Sequence, residues 1–309
     1  KLIFYVGYWR PRKNQRAEMR AELPAQIQTW MASGRIVEVD ETHVWYRTEG
    51  RGRWLVCFHG FPTSSWDWHR LLPLLTSHYR VLVFDFPGYG LSEKSPARNY
   101  SLVRQMDAVE ALLRLLGIEE FELLAHDMGA SVACELLYRL EKKHTSLRLR
   151  HLTLLNGGIY MDMHQALPTQ KLLRTPLVGD VVARLSSYRV FRHQYSKVYA
   201  RPGEFGEDHY LQQWALMLNN DGRRVLAKIA GYMKERNRKG EIWTGPLHRT
   251  LVPLQVVWVR KDPIAIHAIA KKICTKNPGA RLLTLEDTAH YPKLESPGKV
   301  ARALLEKAV

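Results

Sequence analysis

Three residues far apart in the chain carry reactive groups in settings that would position them: Asp127, Asp262 and His290. The first lies in Leu123-Leu124-Ala125-His126-Asp127-Met128-Gly129-Ala130, an apolar run ending in an acid with Ala two residues before it and Gly two residues after. Small residues at those positions are what a sharp strand-to-helix elbow tolerates, and such an elbow lifts its central side chain out of a sheet. A carboxylate is ionised at neutral pH, so an aspartate there can attack a saturated carbon directly and leave an alkyl ester on the protein. His290, in Glu286-Asp287-Thr288-Ala289-His290-Tyr291-Pro292, follows the last strand-like run, where open parallel sheets place their sites, and is placed to act as general base. Asp262, in Val259-Arg260-Lys261-Asp262-Pro263, also ends a strand-like run. It can accept the Nδ1 proton of His290 and fix the tautomer, and it can also cap the turn that Pro263 opens. A fourth stretch, His59-Gly60-Phe61-Pro62, lets the backbone turn so that the Phe61 amide, with that of Met128, forms an oxyanion hole over the same point.

These residues need a scaffold that brings strand ends together, and the hydrophobic pattern supplies one. Residues 35–40 and 43–47 alternate as a β-hairpin, and 54–58 is a short apolar run bounded by Gly52 and Gly60. A helix over 66–77, a strand over 80–84, a helix over 101–116, a strand over 121–125, a helix over 130–139 and a strand over 148–155 follow. From 157 to 245 no strand-like run occurs, only helical pieces separated by Pro168, Pro176, Pro202 and Gly203. Alternation resumes with a strand over 253–259, a helix around 265–275, a strand over 281–286 and a helix over 297–307. The expected architecture is α/β: a mainly parallel, doubly wound sheet with a helical lid inserted after the sixth strand. Its parts are an N-terminal strap or membrane-proximal segment at 1–34, a core at 35–156 and 246–309, and the lid at 157–245.

Composition narrows the function classes. In 309 residues, 46% of them apolar, a sizeable core is available. Cys57, Cys134 and Cys274 are an odd number without metal-type spacing, and they read as buried free thiols in a reducing compartment. The formal charge of +16, from 46 Lys+Arg against 30 Asp+Glu, invites an anionic partner. No interleaving of basic and aromatic residues and no DNA-binding spacing is present, so no nucleic-acid partner is expected. The apolar patch Lys1-Leu-Ile-Phe-Tyr-Val-Gly-Tyr-Trp9, with Arg10, Arg12, Lys13 and Arg16 beside it, reads as a surface for membranes or as a strap on the domain. Either placement is compatible with a cytoplasmic protein or one on the cytoplasmic side of a membrane. Residues 15–31 are rich in helix formers but interrupted by Pro24, so one or two short helices precede the core.

With the elbow, the acid and the base in this order, the chain resembles the α/β-hydrolase superfamily, in particular its aspartate-nucleophile branch of epoxide hydrolases and haloalkane dehalogenases. It is most similar to the mesoderm-specific transcript protein family. The likeness runs from about Trp30 to the C-terminus through His59-Gly-Phe-Pro-Thr-Ser-Ser-Trp-Asp-Trp68, Asp85-Phe-Pro-Gly-Tyr-Gly-Leu-Ser92, Leu155-Asn-Gly-Gly-Ile159 and Asn219-Asn-Asp-Gly222. The resemblance implies a membrane anchor at the N-terminus of family members. It also implies two lid tyrosines that hold and protonate an epoxide oxygen. Tyr195, seven residues before Pro202, is similar to the first, with Tyr199 as its rival, and Tyr232 to the second. Dehalogenases of the branch place Asn or Trp after His-Gly, or Trp after the nucleophile, to hold halide; here Phe61 and Met128 stand there. An epoxide opened to a vicinal diol through an ester on Asp127, hydrolysed by water that the His290/Asp262 pair activates, is therefore the expected reaction, with a small lipophilic substrate and no metal or cofactor. The alternatives are a haloalkane dehalogenase, an esterase or lactonase, or a non-enzymatic relative.

Overall fold

The computed structural model describes residues 23–306, so the patch from Lys1 to Arg16 lies outside the described residues. Pro24 occupies the cap position of α1 (Ala25–Ala32), whose Ile27 and Trp30 are buried. Asp40 and Glu41, both at positive φ, turn the chain between β1 (Arg35–Val39) and β2 (Thr42–Gly50), and pair Val39 with Thr42. Two residues at positive φ are what a tight hairpin whose twist matches its strands requires.

Next come β3 (Arg53–Phe58), the short helix α2 (Leu72–Leu75), β4 (Tyr79–Phe84), α3 (Leu102–Leu115), β5 (Glu120–His126), α4 (Met128–Glu141) and β6 (Arg148–Leu155). Seven helices then follow without a strand among the described residues: α5 (Pro168–Leu173), α6 (Val178–Arg184), α7 (Tyr188–Ser196), α8 (Glu207–Leu218), α9 (Leu226–Ile229), α10 (Tyr232–Arg238) and α11 (Gly240–Arg249). The chain returns to the sheet as β7 (Leu254–Val259), α12 (His267–Lys276), β8 (Arg281–Leu285), α13 (Pro292–Glu295) and α14 (Pro297–Leu305).

The sheet has the order β1-β2-β4-β3-β5-β6-β7-β8, with β1, β2 and β4 antiparallel in sequence and the remaining pairings parallel. Because β4 lies on one side of β3 and β5 on the other, the winding reverses there. A crevice opens beyond the carboxyl ends of β3 and β5, where α/β sheets hold ligands. The last four residues of β3 and the last six of β5 are buried, as expected of strands covered by helices on both faces.

The single helix expected over 66–77 is two pieces: a 3₁₀ turn at Ser65–Trp68, capped by the Ser64 hydroxyl, and α2. Pro73 is the cause, since it lacks an amide hydrogen and is tolerated only in a first helical turn. The helical stretch expected to close at 245 continues to Arg249. Cys57 and Cys134 are buried free thiols, and Cys274 is a partly buried one.

Candidate active site

β5 ends at His126 and α4 begins at Met128, so Asp127 alone makes the turn, at φ 49° and ψ −112°. Few side chains adopt that conformation, and the surroundings hold it: the Asp127 amide donates to the carbonyls of Leu155 (3.3 Å) and Asn156 (3.1 Å), and its carbonyl accepts from Ala130 (3.1 Å). Gly129 is needed because a Cβ there would stand 2.6 Å from the Phe58 carbonyl oxygen. Gly60 is needed for the reciprocal approach, since a Cβ would meet the Asp127 Cβ at 2.7 Å. With both gaps empty, the β3 loop lies against the elbow and the Phe61 amide donates to Asp127 Oδ2 at 2.9 Å. Met128, at the first position of α4, has an amide with no intrahelical acceptor. Its side chain is buried under Tyr89, whose hydroxyl donates to the Met128 sulfur at 2.9 Å.

His290 arrives from the loop after β8. Its Nδ1 is 2.7 Å from Asp262 Oδ2, and its Nε2 is 3.9 Å from Asp127 Oδ1. The second distance is longer than a hydrogen bond. With Nδ1–H committed to Asp262, Nε2 is left as the acceptor facing Asp127. Asp262 is itself fixed: Oδ1 accepts from the amides of Ile264 (2.7 Å) and Ala265 (2.9 Å), and Oδ2 from the Asn156 side chain (2.5 Å). The acid thus both closes the turn at Pro263 and orients the histidine. Burial of His290 opposes its charged form, but the Asp262 carboxylate, through charge and hydrogen bond, and Asp127 outweigh it and hold its pKa above the ordinary value.

The lid tyrosines expected from the sequence fall in two places. Tyr232, at the start of α10, is buried with its ring 5.7 Å from that of Phe61, and its hydroxyl has no hydrogen-bond partner. Burial and then the nearby Asp127 charge keep this phenol far above its ordinary pKa, so it remains a donor. Tyr195, on α7, belongs instead to an aromatic cluster: its ring is 5.3 Å from Tyr291, which stands edge-on to His290 at 5.1 Å. Its hydroxyl is also buried and unpartnered, whereas that of its rival Tyr199 bonds His209 Nε2 at 2.9 Å. The structure therefore brings Asp127, Asp262, His290, Phe61, Met128 and Tyr232 together, and sets Tyr195 one ring behind His290.

Other residues complete the site that local sequence patterns had not singled out. Asn156, in the Leu-Asn-Gly-Gly stretch after β6, holds Asp262, and Tyr89 backs Met128. Behind the elbow, Lys293 is fully buried, with Nζ 2.7 Å from His126 Nδ1 and 3.5 Å from Asp67 Oδ2; His126 Nε2 donates to the His290 carbonyl at 2.8 Å. Burial pushes Lys293 down to about 8 despite the pull of Asp67. This network ties the residue before Asp127 to the backbone of His290. Among the described residues no group of three or more His, Cys, Asp or Glu side chains could hold a metal ion, and no helix is long and apolar enough to cross a membrane.

The profile of the α/β hydrolase fold family matches residues 53–297. The chain is 33% identical to the mesoderm-specific transcript homolog protein of Bos taurus over 287 residues, covering 89% of this chain and 86% of that one. It is 32% identical to the "Putative hydrolase LipZ" of Mycobacterium tuberculosis over 92% of this chain and 98% of that one. Among solved structures, an alpha/beta hydrolase fold protein from Burkholderia ambifaria superposes with a TM-score of 0.77 at 22% identity, over 88% of this chain and 97% of its own. Haloalkane dehalogenases and the epoxide hydrolase CorEH share the fold at 22% identity or below. The chain belongs to the α/β-hydrolase superfamily, as a hydrolase-family protein.

Proposed function

We propose that the protein hydrolyses a lipophilic epoxide to a vicinal diol through an alkyl ester on Asp127. The observation that carries this reading is the unequal treatment of the two Asp127 oxygens. Oδ2 accepts the Phe61 amide, while Oδ1 faces His290 Nε2 across 3.9 Å. An attacking oxygen must be free, and the oxygen that stays behind as ester carbonyl must lie where negative charge can be stabilised in the next step.

In the first stage Oδ1 bonds to a ring carbon, the ring C–O bond breaks, and the departing oxygen takes a proton from Tyr232, with Tyr195 as second donor. For Tyr195 to reach that oxygen, the helical segment over 157–249 must close on the crevice, which makes it a lid. In the second stage His290, oriented by Asp262, takes a proton from water, and the resulting hydroxide attacks Cγ of Asp127. The charge that develops on Oδ2 is met by the amides of Phe61 and Met128. Collapse releases the diol and returns Asp127, His290 and the tyrosines to their starting protonation; epoxide plus water balances as diol.

Two buried hydroxyls without partners support oxygen over halide as leaving group, because a phenol donates to a developing alkoxide. Phe61 and Met128 offer no side-chain N–H for a halide. The test is the His290→Gln protein treated with an aryl epoxide. A single-turnover mass increase on Asp127 is expected, and substrate consumption without any adduct overturns the reading. A parallel assay with a bromoalkane and a nitrophenyl ester should release less halide or phenol than the epoxide yields diol; the reverse order removes the epoxide assignment.

A further inference from the structure

Arg236, on α10, is 2% exposed, and no carboxylate answers it among the described residues. Its Nη1 donates to the Ser131 hydroxyl at 3.2 Å, its Nε lies 2.9 Å from the Met161 sulfur, and its Nη2 is buried with no partner. A buried guanidinium is ordinarily paired, since an uncompensated charge out of water is strongly destabilising. The Asp127 charge reaches Arg236 without an ion pair or hydrogen bond, and the acids on neighbouring positions are turned elsewhere: Glu135 to Trp243 and Arg139, Glu235 to the Leu102 amide and Lys239. Packing alone therefore leaves one hydrogen-bonding edge of Arg236 unexplained.

That edge faces a glycine. A Cβ on Gly158 would lie 2.8 Å from Arg236 Nη2 and 2.4 Å from His164 Cδ2, so the missing side chain is what allows guanidinium and imidazole to approach. Both ring nitrogens of His164 are likewise buried and unpartnered. Burial first, then the charge of Arg236, pushes this imidazole down to about 2, so it stands neutral with one donor and one acceptor to offer. His164 and Met161 also line a cleft of about 510 Å³ whose other walls include Lys171 and Arg174 with Leu167 and Pro263, and no acid. A cleft of this size, part apolar and lined by cations, matches an amphiphile.

We propose that this cleft, with His164 on its wall and Arg236 behind it across Gly158, binds an oxyanion headgroup, carboxylate or phosphate, carried by an otherwise apolar substrate of the Asp127 site. The inference rests on the epoxide reading only for what becomes of the substrate; headgroup binding is independent of the chemistry. The cation–π contact of Arg236 over the Tyr232 ring, 5.3 Å from its centroid, joins the two sites, so a bound headgroup fixes the reach of the chain toward Asp127.

The experiment is calorimetric binding of octanoate, octyl phosphate and 1-octanol to the whole chain. One of the two anions should bind at least about tenfold tighter than the alcohol, the scale of a charge-assisted hydrogen bond, and the preference should shrink with salt. Whichever anion binds tighter identifies the headgroup. Arg236→Met should abolish the preference and Arg174→Gln, at the half-buried wall, should weaken it; the second variant decides if the first does not fold. Equal binding of the alcohol, or a preference that survives both substitutions, overturns the inference. No preference in the unsubstituted protein alongside intact adduct formation from a neutral aryl epoxide counts against this site alone. An intact preference without any adduct counts against the Asp127 chemistry alone.

Discussion

The sheet side of the crevice and the helical side meet the same space in opposite ways. On the sheet side the carboxylate of Asp262 has four donors, Asp127 has the Phe61 amide, and His290 is held by side chain and backbone alike. On the helical side Tyr195, Tyr232, His164 and Arg236 keep buried polar atoms without partners, whereas beside the sheet-side groups only the Asn156 Oδ1 and the Thr288 hydroxyl are left so among the described residues. Buried polar atoms are nearly always satisfied, and each exception needs a reason. The difference teaches a division of labour: the sheet orders groups that act on each other, and the helices present groups that wait for something absent from the chain.

Breaking the sheet side should have the largest effect. Asp127→Asn should lose adduct formation and lower turnover by roughly 10⁴-fold or more, measured by diol release and intact mass. Asp262→Asn should lower turnover by on the order of 10³–10⁴-fold by presenting the wrong histidine tautomer, with the adduct still forming. Retained steady-state activity in this variant would mean that Asp262 only closes its turn.

Breaking the helical side should act on ring opening alone. Tyr232→Phe should slow adduct formation by about 10²-fold while leaving ester hydrolysis unchanged, read by pre-steady-state kinetics. Because the hydroxyl removed has no partner, its melting temperature should hold or rise, the reverse of what a structural tyrosine would show. Tyr195→Phe should follow the same pattern with a smaller effect, as suits a hydroxyl set behind His290.

pH sharpens the contrast further. The folded pKa of His290 is raised above the ordinary 6.5. Its pairing therefore contributes stability fully below that value, and the contribution is lost as pH rises through the folded pKa. The base must be neutral to work, so ester hydrolysis should increase over the same window in which this part of the stability declines. Denaturant midpoints and single-turnover rates across that window check both directions, and in Asp262→Asn both inflections should move down. Last in size, Gly60→Ala should destabilise by about 1–3 kcal/mol through overpacking against Asp127, seen in urea unfolding.

Much of the sheet side was readable from sequence because each of its groups sits at the end of an apolar run, where local pattern and site coincide. Asp127, Asp262, His290 and the Phe61 amide all carry that signature. The helical side has no such anchor: Tyr195 and Tyr199 differ by one turn, and only the tertiary bond from Tyr199 to His209 separates them. Arg236 looks like any basic residue of an amphipathic helix until Ser131, 105 positions away, and Gly158 close around it. The Lys293–Asp67 pair is hidden for the same reason, since ion pairs across distant elements leave no period in the chain. Pro73, by contrast, is a local breaker that the single helix expected over 66–77 passes over.

The backbone of Asp127 has a thermodynamic corollary. At φ 49° and ψ −112° it occupies a region that costs a side-chain-bearing residue about 1–3 kcal/mol, and glycine almost nothing. An inactive protein with Gly at 127 should therefore melt higher than one with Ala, although glycine in ordinary positions lowers stability. The elbow holds its carboxylate at the expense of the fold's own robustness.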